Sequence, residues 1–106
     1  MTGPDARPDA VGGPVSVPGL ARAAGERGAP IPGRPWATAR LERPVAWRLE
    51  RARWLLALDA PLIVDLPFGD FRVLQRGDAL ELPAGLDVRV QPVRDAVTAL
   101  WHDDPA

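Results

Sequence analysis

Glycine and proline are so unevenly distributed along these 106 residues that only the later part of the chain can form a compact core. Residues 1–35 contain seven glycines, seven prolines and no aromatic residue. Such a segment buries too little apolar surface to offset its loss of conformational entropy on folding. The sequence therefore predicts a disordered tail over residues 1–35 and one folded domain over residues 36–106. Within the tail, the stretch from Val17 to Arg27 is expected to form only a transient helical turn.

The predicted domain is small and has no covalent support. A domain of about 70 residues buries only about 60% of the surface of its unfolded chain, and it usually needs disulfides, a metal or a partner subunit. The chain contains no cysteine, which excludes disulfides and thiolate metal sites. We therefore expect a homodimer that buries an edge strand and at least one tryptophan.

The cellular location is predicted from what the sequence lacks. The absence of cysteine fits a reducing cytosol. The longest apolar run, Trp54 to Leu58, is far shorter than the roughly 20 residues of a membrane-spanning helix. No basic region followed by an apolar stretch marks a secretory signal at the N-terminus. The expected location is the cytoplasm, with no membrane partner.

Short apolar segments separated by turn residues predict a mainly β domain. Val45, Trp47 and Leu49 alternate with polar or small residues, as expected of a half-buried strand. Further strands are predicted at 54–58, 61–66, 71–74, 80–82, 88–90 and 96–101, and the continuous apolar runs 54–58 and 61–66 are interpreted as buried strands. The turns between them are marked by Pro67, Gly69, Gly77, Pro83 and Gly85, and the one at Pro67 is expected to be a type I turn. This pattern is typical of a small barrel, roll or sandwich. The stretch 46–58 has no proline and could also form a helix, so its assignment stays open.

One turn carries a recognisable spacing. Gly77 is followed by five residues, then by Pro83-Ala84-Gly85, two more residues and Val88. This resembles the second conserved motif of the cupin superfamily, in which a metal-binding histidine stands where this chain has Val88. The asparagine of that motif corresponds to Pro92, and the first cupin motif, with its paired histidines and glutamate, has no counterpart. The resemblance implies a cupin-like β-roll without the metal site, and we expect no metal and no cofactor.

A wider stretch, from Arg53 to Trp101, resembles a group of short, uncharacterised bacterial proteins of cupin-like shape. The shared pattern is a tryptophan strand, an aspartate near the middle of the domain, and a leucine-rich strand after Gly-Asp. Those places are taken by Trp54, Asp70 and the run from Gly77 to Leu82. Because that group has no established activity, the resemblance implies a fold and no particular reaction.

Large apolar side chains on the predicted strands are the candidate ligand-binding residues. A small barrel can hold a ligand in its interior, but a short chain can also use its largest side chains simply to fill the core. The candidates for either role are Trp47, Trp54, Phe71, Val88 and Trp101.

Residues with catalytic potential are sparse, and we predict no catalytic group. His102, the sole histidine, is followed by two aspartates at the end of the chain, which is a poor setting for a metal site. No serine or threonine is spaced to suggest a nucleophilic triad with this histidine. Asp65 and Asp70 flank a predicted turn and could form a carboxylate pair for acid–base chemistry.

A stretch rich in arginine and tryptophan, residues 36–54, is the candidate nucleic-acid surface. The predicted domain nevertheless contains nine arginines against eleven acidic residues, which disfavours nucleic acid as a partner. The sequence as a whole predicts a non-catalytic, cupin-like binding or accessory module that self-associates. The alternatives are a small-ligand sensor or metal-independent enzyme that uses the barrel interior, and a weak nucleic-acid binder.

Overall fold

A computed structural model describes residues 11–105, which form two antiparallel β-sheets and one short helix. The elements are α1 (Val17–Ala24), β1 (Ala29–Pro30), β2 (Trp36–Leu41), β3 (Val45–Arg48), β4 (Arg53–Ala57), β5 (Leu62–Asp65), β6 (Phe71–Leu74), β7 (Ala79–Leu82), β8 (Asp87–Pro92) and β9 (Val97–Asp103), with single 3₁₀ turns at Gly25–Arg27 and Pro67–Gly69. Within this described range, no helix is long and apolar enough to cross a membrane.

The two sheets form a sandwich around an aliphatic core. The larger sheet has the strand order β1-β2-β9-β4-β7, and the smaller one has the order β3-β8-β5-β6. Because successive side chains of a strand point to opposite faces, alternate residues of β2, β4, β5, β8 and β9 fill the space between the sheets. The buried cluster contains Ala39, Leu41, Leu49, Leu55, Ala57, Leu62, Val64, Leu74, Leu82, Val88, Val90, Val97 and Ala99. The prediction of a mainly β fold is confirmed.

The stretch 46–58, which the sequence left open between strand and helix, is extended. It supplies most of β3 and all of β4, in different sheets, with a short connection between the two strands. Strand β2 was not predicted, because its alternation rests on small residues such as Ala37 and Ala39 that give little apolar contrast.

The segment predicted to be a disordered tail is folded over much of its length, so that prediction is wrong for residues 17–30. Helix α1 begins after Ser16, whose Oγ accepts a hydrogen bond from the amide of Gly19 at 3.1 Å, and it ends at Gly25. The helix contacts β2, and Ala21 is completely buried. The helix is therefore stabilised by packing on the sheet, because its composition alone does not favour a stable helix. Residues 1–10 of the predicted tail lie outside the described residues.

After the helix, the chain adds β1 to the edge of the larger sheet. Gly28 has φ +78° at this point, and a Cβ atom there would lie 2.9 Å from Cη2 of Trp101 and 3.1 Å from the carbonyl oxygen of Thr38. The guanidinium of Arg43 also forms a two-point ion pair with Glu26. The segment before residue 36 is thus held to the domain at several points.

The predicted turns differ in their backbone geometry. Gly77 and Gly85 lie in turns with φ +89° and +88°, a region that favours glycine. The turn at Pro67 was predicted to be type I, but Phe68 has φ +66° and ψ +28°, which no position of a type I turn adopts. Its side chain is fully exposed, so packing does not explain this conformation.

Candidate functional site

The interior position that matches the metal-binding histidine of cupins is part of the apolar core. Val88 lies on β8 directly opposite Trp47 on β3, and its side chain is only 4% exposed. Its buried neighbours include the aliphatic side chains of Val90 and Leu49. A group at this position can contribute packing but cannot ligate a metal.

Next to Val88, two tryptophans from different sheets meet beneath an arginine. The rings of Trp47 and Trp101 have centroids 5.0 Å apart at an interplanar angle of 56°. The guanidinium carbon of Arg53 lies 4.6 Å from the first centroid and 4.9 Å from the second. Asp103 accepts two hydrogen bonds from this guanidinium, at 2.6 Å from Nε and 2.9 Å from Nη2. We call these four residues the inner tryptophan cluster.

The inner tryptophan cluster fixes Arg53 from several sides. Stacking against two rings is favourable for a guanidinium, and the paired hydrogen bonds to one carboxylate define its orientation. A cavity of about 220 Å³ lies beside it, lined by Arg48, Glu50, Arg51, Arg53 and Asp103. This setting offers charged hydrogen-bonding groups at the surface.

A second set of aromatic residues lies on the opposite face of the larger sheet. Trp36, His102 and Trp54 occupy one row across β2, β9 and β4. The ring centroid of Trp36 is 5.6 Å from that of Trp54 and 5.3 Å from that of His102. Trp54 is 43% exposed. We call this set the outer aromatic row.

The two sets explain why the C-terminal His-Asp-Asp sequence does not form a metal site. His102 and Asp103 are consecutive on β9, so their side chains point to opposite faces of the sheet. The first joins the outer aromatic row, and the second binds Arg53. Across residues 11–105, no three His, Cys, Asp or Glu side chains are grouped so that they could hold a metal ion.

The five predicted pocket residues do not line one common pocket. Trp47, Val88 and Trp101 come together at one end of the sandwich, as the packing alternative predicts. Trp54 lies on the other face of its sheet, and Phe71 lies on the edge strand β6 with 56% of its surface exposed. The apolar run containing Trp54 was interpreted as a fully buried strand, whereas β4 buries only every second residue.

The predicted carboxylate pair borders one surface cavity, but each aspartate has its own partners. Asp65 accepts a hydrogen bond from the side-chain amide of Gln91 at 2.8 Å. Asp70 accepts from Arg72 and from the amide of Phe71, each at 2.9 Å. These hydrogen bonds, first that from Arg72 and then that from the amide, lower the pKa of Asp70. A carboxylate stabilised in its charged form is a poor general acid.

The cavity itself has a volume of about 470 Å³ and lies on the outward face of the smaller sheet. Its lining consists of Ala46, Asp65, Leu66, Gly69, Asp70, Asp87, Val88 and Arg89. It brings no histidine, hydroxyl or thiol to the two carboxylates.

The arginine-rich stretch is largely neutralised by carboxylates. Four of its five arginines lie within ion-pair distance of an acidic side chain: Arg40 with Glu42, Arg43 with Glu26, Arg48 with Asp87 and Arg53 with Asp103. Because these charges already have partners, the stretch is a poor match for a phosphate backbone.

Comparison with known proteins identifies the fold. No protein-family model and no curated protein matches the sequence. Among solved structures, the chain is similar to protein NMB1881 from Neisseria meningitidis, with a TM-score of 0.69 at 12% identity over 87% of this chain and 100% of that one. It is similar to a cupin-2 domain protein from Shewanella frigidimarina, with a TM-score of 0.56 at 11% identity over 65% and 69% of the two chains.

A third similar structure is an enzyme. Hydroquinone 1,2-dioxygenase from Sphingomonas gives a TM-score of 0.57 at 20% identity, over 67% of this chain and 59% of that one. At these identities the likeness shows the fold alone. The chain therefore has a small cupin-like β-fold, as the spacing from Gly77 to Val88 predicted.

Proposed function

We propose that this cupin-like domain is a non-catalytic binding or accessory module that acts as a homodimer. The observation that carries the proposal is the packing around Val88. In this fold the corresponding position is expected to hold a metal ligand, whereas here it is a 4% exposed valine in an aliphatic cluster. A sandwich filled in this way has its outer surfaces, rather than its interior, available for function.

The enzyme and sensor alternatives require an interior that a small molecule can enter. Because a dioxygenase has a similar fold, the fold itself is compatible with catalysis. The fully buried side chains of Leu55, Leu62 and Val64 occupy the space that such a ligand would need. The ion pairs of the arginine-rich stretch similarly count against the nucleic-acid alternative.

Self-association is supported by apolar surface that the domain leaves exposed. Trp54, Phe71, Val73 and Val93 are each more than 40% exposed. A short chain without disulfides gains stability when a partner subunit covers such groups. The cytoplasmic location expected from the lack of cysteine belongs to the same proposal.

One preparation of untagged protein tests both parts of the proposal. Elemental analysis after incubation with zinc, iron, manganese and nickel salts should give metal contents well below one equivalent per chain. Multi-angle light scattering at micromolar concentration should give about twice the chain mass of 11.4 kDa. One tightly held metal equivalent would contradict the non-catalytic part. A monomer at every concentration would contradict the homodimer.

A further inference from the structure

The sheet edges differ in how many backbone hydrogen-bonding groups they leave free. The outermost strands are β1 and β7 in the larger sheet, and β3 and β6 in the smaller one. An edge strand can add a strand from another chain only where its outward amides and carbonyls are unpaired.

Strand β1 offers little. The amide of Ile31 donates to the carbonyl of Trp36 at 2.8 Å, so this residue faces β2. Backbone groups alternate in direction along a strand, and the residue that faces outward is therefore Pro30. Proline has no amide proton, and the strand is only two residues long.

Strand β6 is partly closed, at Phe71, by its own side chains. The carbonyl of Asp70 accepts from Leu66 at 2.8 Å, so the backbone groups of Phe71 face outward. The amide of Phe71 donates to the carboxylate of Asp70 at 2.9 Å, and its carbonyl accepts from the guanidinium of Arg72 at 2.8 Å. The two side chains also bond to each other at 2.9 Å. We call this arrangement the edge clasp.

Strand β7 has no equivalent of the edge clasp. The carbonyl of Asp78 accepts from the amide of Ala57 at 3.0 Å, so the next residue and every second one after it face away from β4. Those residues are Ala79 and Glu81. Along the described chain, no side chain bonds to their backbone groups.

We propose that a second copy of this chain pairs antiparallel with β7. The inference rests on the proposed homodimer and names its contact surface. With Leu80 on the two-fold axis, Ala79 of each copy lies opposite Glu81 of the other, and their outward amides and carbonyls form two reciprocal pairs of hydrogen bonds. Moving the axis to Glu81 would place like charges opposite each other, so the register centred on Leu80 is favoured.

The side chains around β7 fit this arrangement. Leu80 packs against the core cluster but is only partly buried, and the same residue of the second copy would cover it. On the other face, the exposed Trp54 lies directly opposite Glu81 across the β4–β7 pair. The small Ala79 of the second copy would then lie one strand further from this indole. The joined sheets would thus cover Leu80 of each copy on the inner face, while Trp54 keeps Glu81 as its direct cross-strand neighbour on the other face.

Strand β3 is the competing edge. The amide of Leu49 donates to Leu86, which turns the backbone groups of Ala46 and Arg48 outward. A reciprocal register there would place Trp47 on the two-fold axis, but this ring already packs against Trp101 and Arg53. On β6, a reciprocal register of this kind would place Arg72 on the two-fold axis, directly opposite Arg72 of the second copy. The two like charges would repel each other.

Disulfide trapping tests the register in the full chain. Leu80 would form a non-hydrogen-bonded pair across the axis, where Cα atoms are about 4.5 Å apart, a separation that a disulfide can span. The native chain has no cysteine, so Leu80→Cys introduces a single thiol. Mild oxidation should give at least about tenfold more covalent dimer than the matched Val73→Cys on β6, which leaves the edge clasp in place, because an unpaired edge meets its copy only by collision. Equal yields from the two variants would overturn the proposal.

Proline substitutions provide the second measurement. Glu81→Pro removes an outward amide that β4 does not use, so the monomer should keep its fold and melting temperature. Because the amide is lost on both copies, the dimer dissociation constant should rise about tenfold or more. Ala46→Pro on β3 and Val73→Pro on β6 remove outward amides of the other edges and should leave the constant unchanged.

The outcomes separate the two proposals. If the native chain is dimeric and only Ala46→Pro or Val73→Pro weakens it, the homodimer stands and the assignment to β7 is wrong. If the native chain is monomeric throughout, the homodimer itself is wrong.

Discussion

The two tryptophan pairs of this domain belong to sets of residues that share strands β4 and β9 but lie in opposite environments. Trp101 belongs to the inner tryptophan cluster, and its neighbour His102 to the outer aromatic row. The same holds on β4, where Arg53 points inward and Trp54 outward. One pair contacts both sheets, whereas the other spans strands of a single sheet. Consecutive residues of one strand therefore stabilise different parts of the molecule. One supports the contact between the two sheets, and the next supports the outer face of a single sheet.

Replacing one tryptophan from each pair is the most direct test of whether the two pairs contribute differently to stability. Trp101→Ala should reduce the free energy of unfolding by about 3 kcal/mol, since it removes a large ring between the sheets. Trp54→Ala should reduce it by about 1 kcal/mol or less, since the ring is largely at the surface. Urea unfolding of dilute protein measures both values. Equal losses would show that the two pairs do not differ as described.

Gly28 tests how closely the N-terminal segment approaches the inner pair. Gly28→Ala should cost about 2–3 kcal/mol, because it combines backbone strain at positive φ with a Cβ atom 2.9 Å from Trp101. Gly33→Ala is the matched control, since φ is +69° there and no atom lies within 4 Å of the added Cβ. The control should cost only about 1 kcal/mol. The difference in urea midpoint between the two variants is the informative measurement, and a difference near zero would contradict the close packing.

The ion pair of the inner cluster should contribute a smaller amount. Asp103→Asn leaves the guanidinium of Arg53, whose side chain is 16% exposed, without its charged partner. The expected loss is about 1–2 kcal/mol. Asp104→Asn, at the next position, lies on an exposed residue and should change stability by less than about 0.5 kcal/mol. Raising the salt concentration should reduce the difference in stability between the two variants only slightly, because the ion pair of Arg53 and Asp103 is partly shielded from solvent. Indistinguishable melting curves for the two variants would count against the role assigned to Asp103.

The smallest effect is expected at the centre of the outer aromatic row. His102→Ala should alter the free energy of unfolding by no more than about 0.5 kcal/mol. It should nevertheless change the fluorescence of the adjacent Trp36, whose ring centroid is 5.3 Å from that of the histidine. A loss as large as that of Trp101→Ala would mean that the outer row is part of the core.

Local patterns predicted the strands well and the contacts between them poorly. Alternation around Trp47 and turn residues such as Gly77 and Pro83 identified β3 and β5 to β9, because both signals are contained within a few residues. Helix α1 was interpreted as disordered, since its stability comes from burying Ala21 on a distant strand. The helix propensity and the composition of this segment do not include the stabilisation that comes from packing against another strand.

The candidate site shows the same division. The cupin-like spacing correctly predicted the fold, and Val88 at the ligand position is visible in the sequence itself. The meeting of Trp47 with Trp101 depends on which strands face each other across the sandwich, and no local pattern specifies it. Period-two alternation through Arg53 and Trp54 could have indicated that they face opposite sides, had the run from Trp54 to Leu58 not been interpreted as buried throughout.

The edge clasp has a consequence for protein engineering, because it requires only three consecutive residues. Asp70 and Arg72 satisfy the amide and carbonyl of the residue between them, without help from any other strand. The Asp-Phe-Arg sequence is therefore a transferable unit. Grafted onto the outward register of an unrelated edge strand, it should suppress fibril formation by that strand without redesign of the host sheet.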